Sequence, residues 1–331
     1  MRNTVCILMA TYNGSLYIED QLDSILNQNH KDWVLFIRDD GSTDNTVEIL
    51  NTYTEKEERI VVVKDRVQKN LGSCMNFSAL MKFAEGKYEY YMFSDQDDVW
   101  FPDKITSSIN KMLELENKYG KHYPLLVYTN FIYADEELQI VNKEIDLAPA
   151  DQTDPLSLFR NLFLQNPVYG CTTLFNNSLL KKAQNLPVTF KFHDYWIAFV
   201  AASTGYAVHL SKPTLLYRQH PHNITSVLYK SRFKQRVKRA LAFREIRADV
   251  LRKILQVKTI FGRFEADMST DKKELIEGFL NKVQAGGMPV IGYMFKRQIF
   301  PRNRINRVLT MLALVKRIRY YGRRNSEFSR L

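Results

Sequence analysis

Short apolar runs alternate with stretches of helical periodicity along the first hundred residues of this 331-residue chain. Continuous apolar runs bounded by turn residues predict buried strands, and apolar residues at three- and four-residue steps predict the helices between them. The runs are residues 5–10, 34–37, 60–63 and 88–93. Strands and helices that alternate at these lengths predict an α/β fold with a mostly parallel, Rossmann-like sheet flanked by helices.

The middle of the chain follows this pattern less regularly. Residues 134–154 are polar and acidic and are interpreted as a loop or hairpin, followed by a predicted helix at 156–164 and a predicted strand at 170–175. An apolar run over 193–202 predicts a buried helix, and another strand-like run begins at Leu215.

The last third of the chain has a different composition. From Ser226 onward, apolar residues recur at helical steps between many lysines and arginines, which predicts long amphipathic helices with a break at 286–289. Residues 226–331 contain 26 Lys+Arg against 8 Asp+Glu, whereas residues 1–225 contain 21 against 28. We therefore expect two domains, 1–225 and 226–331, the second a basic helical region that binds a polyanion, either nucleic acid or an anionic membrane surface.

Cysteine usage and hydropathy indicate the compartment. Cys6, Cys74 and Cys171 lie far apart in sequence and predict neither a disulfide framework nor a zinc cluster. The N-terminus lacks a signal-peptide pattern, and no window reaches the roughly 20 apolar residues of a membrane span. We expect a cytoplasmic protein that can at most lie on the inner face of the membrane.

Three carboxylates, Asp95, Asp97 and Asp98, follow the predicted strand at 88–93. Carboxylates this close repel one another unless a cation lies between them, and hard oxygen ligands suit Mg²⁺ or Mn²⁺ bound together with a diphosphate. A solvated acidic turn is the alternative interpretation of this stretch.

A second acidic pair, Asp39 and Asp40, ends the predicted strand at 34–37, and Thr11 and Tyr12 end the first strand. The carboxyl ends of parallel strands meet at one edge of a sheet, where ligands bind in open α/β folds. Convergence of groups from three strands favours a binding site over unrelated turns.

Four motifs in this order resemble the inverting family 2 glycosyltransferases with the GT-A fold, over residues 3–225. The motifs are Ala10-Thr11-Tyr12-Asn13-Gly14, Asp39-Asp40-Gly41-Ser42-Thr43-Asp44, Asn70-Leu71-Gly72 and Asp95-Gln96-Asp97-Asp98-Val99-Trp100. The resemblance implies that the first two motifs hold the nucleotide of a nucleotide-sugar donor, that the third lies near the nucleotide, and that Asp95 and Asp97 of the fourth face the sugar and the metal. The expected donor contacts are Thr11, Tyr12, Asn13, Asp40, Asn70 and Asp95. Of these, Asp40 would bind the nucleotide base. Asp97 would bind the metal.

Transfer of a sugar to a hydroxyl also needs a base on the face opposite the leaving group. The candidate is Asp194, which opens the predicted helix at 193–202, where the helix dipole favours an ionised carboxylate; an N-cap role is the alternative. His193, Tyr195 and Trp196 are candidate acceptor contacts, because aromatic rings offer stacking surface to a sugar. Many relatives have Glu at position 193, so His193 contacts the acceptor, assists as a second polar group or only packs.

Two candidate site residues, Arg218 and His220, follow the strand-like run that begins at Leu215. In relatives a histidine at this point completes the metal site, which makes His220 the second expected metal ligand, and imidazole suits Mn²⁺ better than Mg²⁺. Arg218 can neutralise diphosphate oxygens with its planar guanidinium. A satisfied structural histidine is the alternative for His220.

The sequence therefore predicts an inverting, metal-dependent and non-processive glycosyltransferase. It looks most like the bacterial rhamnosyltransferases of capsule, O-antigen and wall polysaccharide synthesis, which implies dTDP-L-rhamnose as donor with a UDP-hexose as runner-up. The expected partners are a lipid-linked or growing glycan acceptor and an anionic membrane surface, with no nucleic acid.

Two other classes of protein share some of these features. A sugar-phosphate nucleotidyltransferase could use acids and a metal at the same sheet edge, but it would usually have a glycine-rich phosphate-binding stretch, and residues 10–14 contain one glycine. A nucleic-acid-binding protein would explain the basic third of the chain but leaves the acidic cluster without a role.

Overall fold

The computed structural model of this protein describes residues 3–64, 70–141, 145, 147–149, 151, 153–221, 223 and 232–315. The chain divides into two units, Met1–Thr153 with Asn166–Lys230, and Asp154–Gln165 with Ser231–Leu331. Residues 154–165, which the sequence interpretation placed in the first domain, therefore belong to the second unit.

A mixed sheet forms the centre of the first unit. Its eight strands, counted over the described residues, are β1 Val5–Thr11, β2 Trp33–Asp39, β3 Ile60–Val62, β4 Tyr90–Ser94, β5 Val99–Trp100, β6 Leu125–Ala134, β7 Thr173–Asn176 and β8 Tyr206–Arg218. They lie in the order β3-β2-β1-β4-β7-β6-β8-β5. Strands β3, β2, β1 and β4 are parallel neighbours, while β7 is antiparallel to both of its neighbours. The predicted α/β class with a mostly parallel sheet is confirmed.

Helices connect these strands as the periodicity predicts. The helices of the first unit are α1 Ile18–Leu26, α2 Thr46–Lys56, α3 Ser73–Ala84, α4 Lys104–Tyr119, α6 Asn177–Lys182 and α7 His193–Thr204. The strand predicted at 170–175 is wrong in its first half, because Gly170–Thr172 forms a 3-10 turn before β7. That turn matters for the site, since it directs a backbone N–H toward α7.

Strand register brings the motif residues to one edge of the sheet. Thr11 pairs with Asp39 in register, and Met9 pairs with Ser94 two residues earlier in β1. The carboxyl ends of β1, β2 and β4 therefore meet, as the alternation of strands and helices predicts.

The second unit is helical. Its elements are α5 Ser157–Asn161, α8 Arg232–Phe264, α9 Thr270–Ala285, α10 Met288–Arg297 and α11 Arg304–Val315, with a 3-10 turn at Glu265–Asp267. Helix α5 is shorter than the predicted 156–164, and the predicted break coincides with Gly286 and Gly287, both at positive φ. Residues 316–331, the end of the expected basic helical region, lie outside the described residues. In the part of the chain that the structure describes, no helix is both long and apolar enough to cross a membrane.

Gly205, between α7 and β8, has no room for a side chain. A Cβ at this position would lie 1.9 Å from the carbonyl oxygen of Pro124, which accepts a 2.9 Å hydrogen bond from the N–H of Tyr206. We expect Gly205→Ala to lower the free energy of unfolding by about 2–3 kcal/mol, because backbone rather than a flexible side chain must move. Chemical denaturation measures the change.

Gly262 provides the control for this substitution. It lies inside α8, and nothing approaches the position of an added Cβ within 4 Å. Gly262→Ala should stabilise its helix by about 0.5–1 kcal/mol, because alanine loses less backbone entropy on folding. Equal effects of the two substitutions would contradict the packing described at Gly205.

Candidate active site

Asp39 organises the turn that follows β2. Its Oδ1 accepts hydrogen bonds from the hydroxyls of Thr11 at 3.0 Å and Ser42 at 2.6 Å. Its Oδ2 accepts from the N–H groups of Gly41 at 3.0 Å and Ser42 at 2.8 Å. All of these contacts hold the Asp39 carboxylate against the chain, so it fixes the first two motifs relative to each other.

Asn13 joins the same two loops from the other side. Its N–H donates to the Ser42 hydroxyl at 2.8 Å, and its side-chain oxygen accepts from the Thr43 N–H at 2.8 Å. Asn13 has a φ of 47°, a left-handed conformation that asparagine tolerates. Thr11 is buried here, whereas Tyr12 is 48% exposed and offers its ring at the edge of the sheet.

Asp40 connects the second motif to the third. Its buried carboxylate forms a 2.7 Å ion pair with Arg38 and accepts the N–H groups of Leu71 and Gly72 at 2.8 and 2.7 Å. Asn70, exposed, also accepts from the Gly72 N–H at 3.1 Å. These contacts make Asp40 the residue that positions the 70–72 loop, and its predicted contact with the nucleotide base stays a prediction.

Gln96 holds the acidic loop, residues 95–98, against the first motif. Its side-chain amide exchanges two hydrogen bonds with the backbone of Tyr12, accepting at 2.8 Å and donating at 3.0 Å. Its oxygen lies only 2.4 Å from where a Cβ on Gly14 would be. The first motif therefore needs glycine at position 14 to admit Gln96.

The two predicted metal ligands, Asp97 and His220, lie side by side. The Asp97 Oδ2 to His220 Nε2 distance is 2.8 Å, and the same oxygen accepts from the Asn223 amide at 3.1 Å. The His220 backbone N–H donates to the Asn223 side-chain oxygen, and the Tyr17 ring lies 4.7 Å from the imidazole. Asn223 thus connects the His220 backbone to the Asp97 carboxylate, and the Tyr17 ring packs on the imidazole.

Arg218 holds the acidic loop in place through hydrogen bonds. Its guanidinium donates to the carbonyl oxygens of Asp97 at 2.9 Å and Glu136 at 2.5 Å, and to the Asp20 carboxylate at 2.6 Å. Its backbone N–H donates to Asp98 Oδ1 at 3.3 Å. The side chain is 3% exposed. The structure therefore gives Arg218 a role in positioning the Asp97 loop, and its contact with a diphosphate stays a prediction.

Asp95, Asp98 and Cys171 form a compact group, with ligand atoms within 4.8 Å of one another. Burial raises the pKa of Asp98 well above its ordinary value, and the neighbouring Asp97 and Asp95 raise it further. Burial, then Asp97 and Asp194, raise the pKa of Asp95 in the same direction. The ionised form of this cluster is therefore costly without a positive charge beside it.

This donor set fits a divalent cation. Burial and the two carboxylates raise the pKa of the Cys171 thiol well above its ordinary value, so Cys171 remains a thiol rather than a thiolate ligand. Carboxylate oxygens with one imidazole suit Mn²⁺ or Mg²⁺. The grouped carboxylates of Asp95 and Asp98, and the neighbouring Asp97–His220 pair, are the side chains that could hold such an ion.

Asp194 lies in the first turn of α7 and accepts hydrogen bonds from three elements of the chain. The N–H of Tyr195 donates at 2.5 Å, the N–H of Gly170 at 3.2 Å and the Asn166 amide at 3.2 Å. Burial nevertheless raises the pKa of Asp194 to about 7, and these hydrogen bonds oppose the increase. Asp194 is therefore held in one position with a pKa suited to proton transfer near neutrality.

The three aromatic candidates beside Asp194 pack in the core rather than facing a ligand. Trp196 is fully buried and donates its indole N–H to the Ala183 carbonyl at 2.6 Å, and Tyr195 is 5% exposed. His193 stacks on Phe77 at 3.8 Å between ring centres, and burial lowers its pKa to about 3. Among the alternatives for His193 the geometry favours packing, and contact of these three rings with an acceptor stays a prediction.

Sequence patterns did not indicate several residues of the site. Asn166, Gly170 and Asn223 lie in irregular segments, and only the fold brings them to Asp194 and Asp97. Asp20 and Gln96 lie in or beside recognised segments, but their partners are distant in sequence. An exposed ring beside Asp194 belongs to Phe192, which precedes α7 and is 45% exposed.

Comparison with known proteins shows the family to which this chain belongs. The sequence profile described as Glycosyl transferase family 2 matches residues 6–122. The dTDP-rhamnosyl transferase RfbG of Shigella flexneri is 30% identical over 239 residues, which span 69% of this chain and 77% of that protein. The chain belongs to the family 2 glycosyltransferases.

Other relatives of this family 2 glycosyltransferase are more distant. The UDP-Glc:alpha-D-GlcNAc-diphosphoundecaprenol beta-1,3-glucosyltransferase WfgD of Escherichia coli is 25% identical over 227 residues, 68% of this chain and 81% of that protein. Three further relatives are covered over only 60–61% of their own length.

The fold of this family 2 glycosyltransferase matches solved structures. The crystal structure of S. aureus TarS 1–349 in complex with UDP-GlcNAc superposes with a TM-score of 0.56 at 16% identity, covering 94% of this chain and 79% of that one. The likeness confirms the predicted GT-A fold.

Proposed function

We propose that this glycosyltransferase transfers one sugar per encounter from a nucleoside diphosphate donor to an acceptor hydroxyl, with inversion and with the help of Mn²⁺ or Mg²⁺. The observation that carries the proposal is that a part-buried carboxylate, Asp194, accepts a hydrogen bond from the Gly170 N–H, next to Cys171, whose thiol lies within 4.8 Å of the Asp95 and Asp98 carboxylates at the end of β4. A base and a diphosphate site at one sheet edge are the two parts that a direct displacement needs.

In this mechanism Asp194 accepts the proton of the acceptor hydroxyl as the oxygen attacks the anomeric carbon. The carbon–oxygen bond to the diphosphate breaks on the opposite face of the sugar, so the configuration inverts. The N–H groups of Gly170 and Tyr195 hold the carboxylate in place. A bound divalent ion would neutralise the charge that develops on the diphosphate.

The proposed donor site consists of residues from the four motifs. Thr11, Tyr12, Asn13, Asp40 and Asn70 would bind the nucleotide, and Asp95 the sugar, on the loops that Asp39 and Gln96 lock together. The similarity to a dTDP-rhamnosyl transferase makes dTDP-L-rhamnose the leading donor. The similarity to a UDP-glucose-dependent enzyme keeps a UDP-hexose as the alternative.

We further propose a lipid-linked glycan as acceptor, at the inner face of the cell membrane, in the synthesis of a capsule, O-antigen or wall polysaccharide. The name of the E. coli relative includes a diphosphoundecaprenol acceptor, which supports this choice. The excess of basic residues after position 225 supports peripheral association with anionic lipid.

Thermal stabilisation by nucleotides tests the donor site. The purified chain is heated with dTDP, UDP, GDP or CMP, each with and without Mn²⁺ or Mg²⁺. We expect the melting temperature to rise only when a nucleoside diphosphate and a metal are both present, with dTDP the most effective. If no combination raises it, the acidic group is not a donor site.

The rate of transfer should depend on pH through Asp194. Its pKa is raised to about 7, and a general base works only when deprotonated, so kcat/KM for the acceptor should fall below about pH 7. The expected slope is tenfold per pH unit on the acid side. A profile that stays flat down to pH 5 would mean that the group taking the proton has an ordinary carboxylate pKa of about 4.

A further inference from the structure

Helices α10 and α11 carry large apolar side chains toward solvent. In α10, Met288 and Phe295 are 72% and 60% exposed, and in α11, Val308, Leu312 and Val315 are 51%, 50% and 48% exposed. Steps of three, four and seven residues place each set on one side of its helix. We call these five residues the apolar stripes.

The apolar stripes are additional to the faces that hold the second unit together. Val290, Ile291 and Met294 of α10 and Ala313 and Leu314 of α11 are buried. Each helix is therefore apolar on two sides, one packed inside the unit and the other in solvent. An amphipathic helix that only packs on its own domain has polar residues on the second side.

Contacts at both ends place the two helices next to each other. The Gly287 N–H, just before α10, donates to the Leu314 carbonyl near the end of α11 at 3.3 Å. At the other end, the Phe295 and Phe300 rings lie 4.8 Å apart, and the Arg307 guanidinium lies 5.4 Å from the Phe300 ring. The helices thus form an antiparallel pair that carries both apolar stripes.

The charged residues on α10 and α11 and between them have one sign. Residues 288–315 include Lys296, Arg297, Arg302, Arg304 and Arg307, and the sequence has no Asp or Glu from Gly278 through Ser326. Lys296, Arg297, Arg304 and Arg307 are exposed. Exposed apolar residues combined with cationic residues are the pattern of helices that lie in the headgroup region of an anionic bilayer.

We infer that the α10–α11 pair is a membrane-binding face, which inserts the apolar stripes among the lipid chains while its basic residues contact anionic headgroups. The inference rests on the proposed function, because an acceptor carried by the membrane gives this contact its use. It assigns the contact to one pair of helices rather than to the basic region as a whole.

The charge and the apolar residues together favour lipid over the other occupants. A symmetric dimer through this face would oppose two cationic surfaces of the same chain, which repel. Nucleic acid would satisfy the basic residues, but phosphate contacts do not use exposed methionine, valine and leucine side chains. Anionic lipid complements both properties.

Vesicle sedimentation of the full chain tests the inference, with phosphatidylcholine vesicles and with vesicles that include phosphatidylglycerol. We expect binding to the anionic vesicles, and a loss of about tenfold or more in the partition coefficient for Phe295→Ser/Leu312→Ser and for Arg297→Glu/Arg304→Glu. The matched control is Ile140→Ser/Val188→Ser, which changes side chains 66% and 95% exposed in the first unit and should bind as the unaltered chain does.

Insertion itself has a fluorescence readout. The natural tryptophans Trp33, Trp100 and Trp196 are each 2% exposed or less, so their emission should not respond to lipid. Phe295→Trp adds a tryptophan at an exposed position of the apolar stripes. Its emission should shift to the blue with anionic vesicles and be quenched by brominated lipid chains.

Several results would overturn the inference. These are equal binding to neutral and anionic vesicles, binding that survives both double substitutions, and no spectral shift of Phe295→Trp. Light scattering that shows a dimer, converted to monomer by Phe295→Ser/Leu312→Ser, would assign the face to a second copy.

Stabilisation by nucleotide and metal is measured on the same variants. If stabilisation persists while lipid binding fails, only the membrane face is wrong; lipid binding without nucleotide stabilisation would refute the donor site alone.

Discussion

Asp194→Asn is expected to lower the rate of sugar transfer by about a thousandfold while nucleoside diphosphate affinity changes little. Asparagine has nearly the same shape as aspartate, and its carbonyl oxygen can still accept from the Tyr195 N–H and the Asn166 amide. It cannot accept a proton from the acceptor hydroxyl at neutral pH. The loss should therefore appear in kcat, measured at saturating donor and acceptor, and not in the melting-temperature shift caused by the nucleotide.

A matched substitution separates loss of the base from loss of a charge. Asp271→Asn changes an exposed carboxylate in the first turn of α9, which resembles the helical position of Asp194 but lies in the second unit. It should leave kcat unchanged within a factor of two. Transfer by Asp194→Asn at more than a tenth of the normal rate, with nucleotide affinity intact, would show that another group takes the proton.

Substitution of Arg218 is expected to cost about 3–5 kcal/mol of folding free energy and to weaken nucleotide binding in the presence of metal by more than tenfold. The guanidinium connects the Asp97 carbonyl, the Glu136 carbonyl and the Asp20 carboxylate. Arg218→Met fills a similar volume but leaves both carbonyl oxygens without this donor. The loop that carries Asp97 then loses its support, so its carboxylate is no longer held beside His220.

Arg218→Lys distinguishes support of this loop from direct neutralisation of a diphosphate. Lysine keeps the positive charge but lacks the planar fork that reaches several acceptors at once. If support is the main role, denaturation should show Arg218→Lys to be nearly as unstable as Arg218→Met. Recovery of both stability and nucleotide affinity in Arg218→Lys would instead indicate that charge alone is needed.

The sequence predicts which residues meet at the carboxyl edge of the sheet, because each strand and the motif after it are adjacent in sequence. Strands β1, β2 and β4 are continuous apolar runs, each followed at once by its polar motif, so the alternation predicts both the parallel sheet and the meeting of Thr11, Asp39 and the acidic loop. Asp97 and His220 could be paired in advance through the family resemblance, and the structure places them 2.8 Å apart.

The roles of other residues depend on contacts between distant parts of the chain. Asp40 looks like a ligand contact in sequence, yet the fold surrounds it with Arg38 and the N–H groups of Leu71 and Gly72. His193 looks polar and available, but Phe77 and Phe93 enclose its ring. Periodicity cannot predict such partners, because they come from separate elements and are set by packing.

The 3-10 turn at Gly170–Thr172 shows the same limit for secondary structure. Its residues are apolar or β-branched enough to resemble a strand, but the Thr172 N–H and hydroxyl both donate to the Tyr169 carbonyl, and the Gly170 N–H donates to Asp194. Local propensity predicted a strand there, and these side-chain and tertiary contacts favour the turn.

The anomeric configuration of the sugar at the moment of release tests the central claim most directly. The enzyme is incubated with dTDP-L-rhamnose or UDP-glucose and a simple alkyl glycoside, and proton NMR reads the anomeric signal of the new glycosidic bond, which does not equilibrate. A single displacement assisted by Asp194 predicts a product whose configuration is opposite to that of the donor. A product that retains the donor configuration would require a second displacement and would contradict the role assigned to Asp194.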